Sequence, residues 1–142
     1  MIPGELLRAV TLAWLDDPES DVVWAGEHEG LWGIRMAQTA RDFTTIWFDE
    51  GQITIGFAAY LLPSPPHNRD AVLEQCLRRN HRSWPAFIAA DDRGELYIRG
   101  RIPVAHITAA DIETAVGSVY ELVEIAFKPL VELGYRAPKS SD

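Results

Sequence analysis

The sequence predicts an α+β domain in which an antiparallel sheet of five to six strands is flanked by three helices. Three observations predict it. Apolar residues recur at helical spacing in three separated stretches, near residues 3–15, 68–82 and 108–134. Between them lie runs of period-two alternation, rich in β-branched and aromatic residues. Short Gly-containing turns join those runs in pairs, and tight hairpins make neighbouring strands antiparallel.

The first helix spans Pro3 to Leu15. Pro3 suits a first helical position, and Leu6, Leu7, Val10, Ala13 and Trp14 share one face. Asp16-Asp17-Pro18 stops it. Asp21 to Gly26 is a short candidate strand with Val22 and Trp24 on one side. Leu31 to Gln38 alternates Trp32, Ile34 and Met36 against Gly33, Arg35 and Ala37. Phe43 to Phe48 and Ile53 to Leu62 read as a hairpin around Asp49-Glu50-Gly51. The second of these runs is apolar on both faces, Phe57, Ala59 and Leu61 on one, Ala58, Tyr60 and Leu62 on the other. A strand of that kind is covered twice or faces a partner.

Pro63-Ser64-Pro65-Pro66 breaks the pattern and leads into a second helix capped by Asn68 and ending near Arg82. Val72, Leu73, Cys76 and Leu77 make its apolar face. Asn80 falls in the middle of that face, where an amide needs bonded partners, and the turn at His81 to Trp84 would supply them. Phe87 to Asp91 and Glu95 to Ile102 form a second hairpin. Leu96, Ile98, Gly100 and Ile102 face the core, while Tyr97, Arg99 and Arg101 face water or a partner. Thr108 and Asp111 form a capping box for the last helix. Ile112, Val116, Val119, Val123, Phe127 and Leu130 give it a stripe. Ala115, Leu122, Ala126 and Leu133 widen that stripe to roughly 160°, against the ~100° of a surface helix, enough for the sheet and a second surface. Pro129 should kink its last turns and Gly134 end them. Residues 1–135 thus make one domain, and 136–142 a polar tail.

Composition bounds the function. The chain has 142 residues with a net charge of −8, and residues 1–30 carry seven acids and one base. That charge disfavours nucleic-acid binding. No run approaches the ~18–20 apolar residues of a membrane span, and the start lacks a signal-peptide pattern, so a cytoplasmic protein is expected. One cysteine excludes an internal disulfide framework, and Cys76 on an apolar helix face reads as a core thiol. No two of His28, His67, His81 and His106 lie at metal-ligand spacing, and no nucleophile elbow or phosphate loop occurs. Asp16-Asp17, Asp49-Glu50 and Asp91-Asp92 mark turns and helix ends. Neither catalytic residues nor a cofactor are expected. Trp24, Trp32, Trp47 and Trp84 lie in or beside strands, as core residues or as anchors for a partner.

The run Tyr60-Leu61-Leu62-Pro63, then Asn68, Asn80-His81-Arg82, and Phe87 through Tyr97 resembles the bacterial YbjN family of sensory transduction regulators. Trp32-x-x-Arg35 and the closing Val131-Glu132-Leu133-Gly134-Tyr135 fit the same pattern. The resemblance covers about residues 30–135. It implies a fold similar to type III secretion chaperones, in the order helix, three strands, helix, two strands, helix. Those proteins are small, acidic and commonly dimeric, and hold partner segments on apolar surface. The resemblance brings no catalytic residues.

The leading expectation is therefore a non-enzymatic protein-binding module, a regulator, adaptor or chaperone-like protein. It would pair with itself as a homodimer or with a paralogous chain, and bind a further protein partner, with no role for nucleic acid or membrane. Phe57, Tyr60, Leu62, Leu122 and Ile125 are its candidate partner-binding residues. The alternative is a sensor that grips a small anionic ligand through Arg78, Arg82, Arg99 and Arg101.

Overall fold

The computed structural model describes residues 1–137. Helix α1 (Pro3–Asp16) precedes strands β1 (Val22–His28), β2 (Leu31–Ala37), β3 (Phe43–Glu50) and β4 (Thr54–Leu62). Helix α2 (Arg69–Asn80), strands β5 (Phe87–Ala90) and β6 (Leu96–Pro103), and helix α3 (Ala109–Gly134) follow. The class is α+β, and the six strands form one sheet in the order β1-β2-β3-β4-β6-β5, every pair antiparallel. The first strand group has four members, because the stretch at Val22 is a full strand. Of the polar tail, residues 138–142 lie outside the described residues.

One face of the sheet carries the core. Trp32, Ile34, Ile46, Phe48, Ile55, Ile98 and Ile102 are buried there together with Leu7, Val72, Ile112, Val119 and Leu130 of the helices. The wide stripe of α3 is consumed within the chain: Val116, Leu122, Val123 and Ala126 are buried too, and α1 and α2 pack on α3 in addition to the sheet. The second surface that the stripe can serve is thus supplied by the protein's own helices. The capping box forms as expected, with Thr108 N donating to Asp111 Oδ2 at 2.8 Å and Asp111 N to Thr108 Oγ1 at 3.3 Å. The helix runs through Pro129 to Gly134, where a Cβ would lie 2.5 Å from Val72, so only glycine admits α2 this close.

Four local expectations are corrected. A β-bulge between Val22 and Trp24 puts Val22 opposite Met36 on the core face and Trp24 opposite Arg35 on the other, not both on one side. A second bulge pairs Tyr60 with Tyr97 but Leu62 with Leu96, so Leu62 turns into the core. In α1 the buried line is Gly4, Leu7 and Thr11, while Ala13 is exposed. Thr11 tolerates burial because its hydroxyl donates to Leu7 O at 2.7 Å and accepts from Trp32 Nε1 at 2.9 Å. Asn68 stands at the N-cap of α2 in the left-handed region (φ 49°), yet its side chain donates to Leu133 O at 2.8 Å and makes no cap bond.

Asn80 is bonded, but not to the turn that follows it. Its Nδ2 donates to Ile88 O at 2.8 Å, and its Oδ1 accepts from Ile88 N at 2.7 Å. The amide thereby completes the outer edge of β5, one of the two edge strands.

Candidate binding face on the open side of the sheet

The opposite face of the sheet has no helix on it among the described residues. The strand register builds it in rows. One row crosses all six strands as Gly26, Gly33, Trp47, Ala58, Arg99 and Phe87. A neighbouring row holds Asp49, Gly56 and Arg101. On the other side lie Trp24, Arg35 and Thr45, and then Tyr60, Tyr97 and Ala89. The face therefore mixes large aromatics with very small residues, which gives relief to a surface that is otherwise flat.

The aromatics support one another. Trp24 meets Trp47 edge-on at 6.0 Å and Tyr60 meets Tyr97 edge-on at 5.4 Å, geometries that aromatic pairs favour. The Arg35 guanidinium sits 5.7 Å from the Trp24 ring centroid. Gly33 provides the bed for Trp47: a Cβ there would come within 2.5 Å of the indole. Phe43, Tyr60 and Phe87 remain 53%, 44% and 43% exposed.

Two adjoining hollows lie on this face and share Trp47 and Ala58. The larger, about 660 Å³, is floored by Gly56 and Ala58 between Trp47 and Asp49 on one wall and Arg99 and Arg101 on the other. The smaller, about 380 Å³, continues past Phe43, Tyr60 and Tyr97. Arg99 and Arg101 have no ion-pair partner among the described residues.

The expected partner-binding residues are divided by the structure. Tyr60 lies on the open face. Phe57 (3% exposed), Leu62 (6%) and Leu122 (1%) are core residues: Phe57 lies on the core-facing side of β4 with Ile55 and Ala59, the bulge after Tyr60 turns Leu62 inward, and Leu122 belongs to the buried stripe of α3. Ile125, 51% exposed, sits on the helix side in a hollow of about 220 Å³ that Leu122, Arg82 and Trp84 also line. The four arginines are not gathered into one site. Arg99 and Arg101 line the open-face groove, Arg82 lines the helix-side hollow, and Arg78 pairs with Glu74 at 2.9 Å. Cys76 is buried, and burial pushes its thiol pKa up, so it is a poor nucleophile.

Two residues with no readable signal in the sequence, Arg41 and Glu124, hold one end of the face at the β2–β3 connection. Arg41 donates to Tyr60 O at 2.7 Å and to Leu61 O at 2.9 Å, satisfying carbonyls that the bulge displaces. Glu124 of α3 accepts from Thr39 N at 2.7 Å, from Ala40 N, and from Gln38 Nε2 at 2.9 Å, which fixes the β2–β3 connection. Those bonds, the one from Thr39 above all, hold its carboxyl below the usual range. Phe43 and Trp47 carried a readable signal, since both alternate with the buried Thr44, Ile46 and Phe48.

Among the described residues no helix is long and apolar enough to cross a membrane. Similar chains occur in mycobacteria. Over 87 residues, 61% of this chain and 48% of the relative, it is 30% identical to an uncharacterised protein of Mycobacterium tuberculosis (strain H37Rv) and to one of Mycobacterium bovis. An uncharacterised protein of Mycobacterium leprae is 31% identical over 61% of this chain and 47% of its own length. The chain spans about half the length of the curated relatives it matches. Residues 8–132 match the family model YbjN, whose description reads "Putative bacterial sensory transduction regulator", and the chain belongs to that family.

Proposed function

We propose that the chain is a non-enzymatic protein-binding module of the regulator type, and that the open face of its sheet is the partner surface. One observation carries the reading: six aromatic residues, Trp24, Phe43, Trp47, Tyr60, Phe87 and Tyr97, stand on a sheet face that no helix covers among the described residues. Contiguous exposed apolar surface on a small protein marks interaction sites, and Trp and Tyr are the side chains that dominate binding energy. The test compares affinity capture from the host with three baits: wild type, Ala58→Glu on the open face, and Leu77→Glu on exposed α2. The reading expects one partner retained by wild type and Leu77→Glu and lost by Ala58→Glu. Loss from Leu77→Glu instead would place the partner on the helices.

Self-association has a separate surface in this reading. Trp84 is 80% exposed and lines the same hollow as the half-exposed Ile125. A two-fold contact would set each copy's Trp84 against the other's hollow, leaving both open faces free. Light scattering over a concentration series checks it: wild type should be a dimer, and Trp84→Ser or Ile125→Glu a monomer. A dimer untouched by either change would remove this surface from the account.

A sensor for a small anionic ligand is the second reading, favoured by Arg99 and Arg101 in the groove, which have no ion-pair partner among the described residues. It expects phosphate or citrate to raise the melting temperature of wild type and not of Arg99→Gln.

A further inference from the structure

We propose that the groove along β4 takes an extended, acidic segment of a partner polypeptide, its carboxylates on Arg99 and Arg101 and its apolar side chains on Trp47. This rests on the open-face reading and gives the partner a chemistry. The groove follows a strand: from Thr54 to Tyr60 its floor is the outward side of β4, which at about 3.3 Å per residue is roughly 20 Å long. Its walls rise from backbones two strand spacings apart, roughly 10 Å, because Trp47 and Arg99 are each the direct neighbour of Ala58. A single extended chain fits that channel; a helix with its side chains, about 10–12 Å across, fills it wall to wall.

The walls differ in chemistry, and that difference selects the occupant. Arg99 and Arg101 stand two residues apart on one strand, so both side chains leave the same face of the sheet and line the groove. An extended ligand places alternate side chains at the same repeat, so carboxylates at i and i+2 face the two arginines together. The apolar residues between them turn to the opposite side or lie over the indole of Trp47. The single carboxylate on the facing wall is Asp49, and Glu95 at the far end accepts from Tyr60 Oη at 3.3 Å. The protein as a whole carries −8, so long-range repulsion weakens non-specific binding of an acidic chain, and the paired arginines of this channel supply local attraction. Arginine also forks to carboxylate with two parallel bonds, which a lysine wall would not offer.

The probe is a fluorescein-labelled nine-residue peptide alternating Glu with Leu and Phe, measured by anisotropy against the full chain. Its partner probe has Lys in place of each Glu. The Glu peptide should bind with an affinity that falls steeply as salt is raised, and at least tenfold more tightly than the Lys peptide. Arg99→Gln and Arg101→Gln should each weaken it about tenfold, while Arg136→Gln leaves it unchanged. Equal binding of the two peptides, or full affinity in the double Arg99→Gln/Arg101→Gln variant, overturns the acidic-segment proposal. So does a melting-temperature rise with free phosphate or citrate without peptide binding, which hands the arginines to a small ligand. If the Glu peptide fails while Ala58→Glu still loses the cellular partner, the open-face reading stands without the acidic chemistry; if both fail, both fall.

Discussion

Thr11 and Trp32 are 21 residues apart and meet in the core with an indole N–H that only the threonine hydroxyl satisfies. Thr11→Val keeps the shape and removes the acceptor. A buried donor left unpaired costs about 1–3 kcal/mol, so the urea midpoint should fall with an unchanged slope, while Thr11→Ser stays near wild type. Spacing could not reveal this pair: a threonine in an apolar helix face reads as an interruption until its partner is known. Glu124 is a different case, because its effect depends on pH. Its folded pKa lies below the ordinary carboxylate value, so its stabilisation is fully present above that value and is lost as pH falls through the folded one. Glu124→Gln should therefore be less stable than wild type at neutral pH, with the gap closing in acid when thermal unfolding is followed across pH. A gap that stays constant with pH would show that the charge does not matter.

At the scale of elements, the edge strand β5 depends on one side chain from α2. Asn80→Ala frees both Ile88 N and Ile88 O, and the loss should be about 1–3 kcal/mol in equilibrium unfolding. Asn80→Asp, which can accept from Ile88 N but not donate to Ile88 O, should fall between. That an amide on the apolar face of α2 needed partners was legible from sequence; which strand supplied them was not, since that follows from packing. The same division holds elsewhere. Helices, hairpins and the Thr108–Asp111 box follow from local spacing and were readable. The two bulges were not, because alternation counted along a strand assumes an unbroken register, and one inserted residue moves Leu62 and Trp24 to opposite faces from those expected. The α3 stripe is wide in sequence and in structure, yet width alone does not say whether the covering surface is another chain or, as here, α1 and α2.

At the scale of the whole molecule, asymmetry is the organising fact. Three helices crowd one face of a six-stranded antiparallel sheet, and the other face is left to aromatics, small residues and two groove-lining arginines. The candidate site was legible in part. Tyr97, Arg99 and Arg101 were readable as the outward side of β6, whereas β4 read as apolar on both faces and did not reveal that the side with Ala58 and Tyr60 is the open one. Their assembly with Trp47 and Phe87 into one face needed the strand order, which places β6 between β4 and β5 and so brings the two hairpins side by side. The central claim is that this face meets a protein partner in the cell. The most direct measurement is photo-crosslinking in the host, with a benzophenone amino acid placed in turn at Phe43, Tyr60 and Phe87 on the open face and at Leu77 on α2. The account predicts a discrete adduct of one size from the three sheet positions and none from Leu77; adducts from Leu77 with none from the sheet would contradict it.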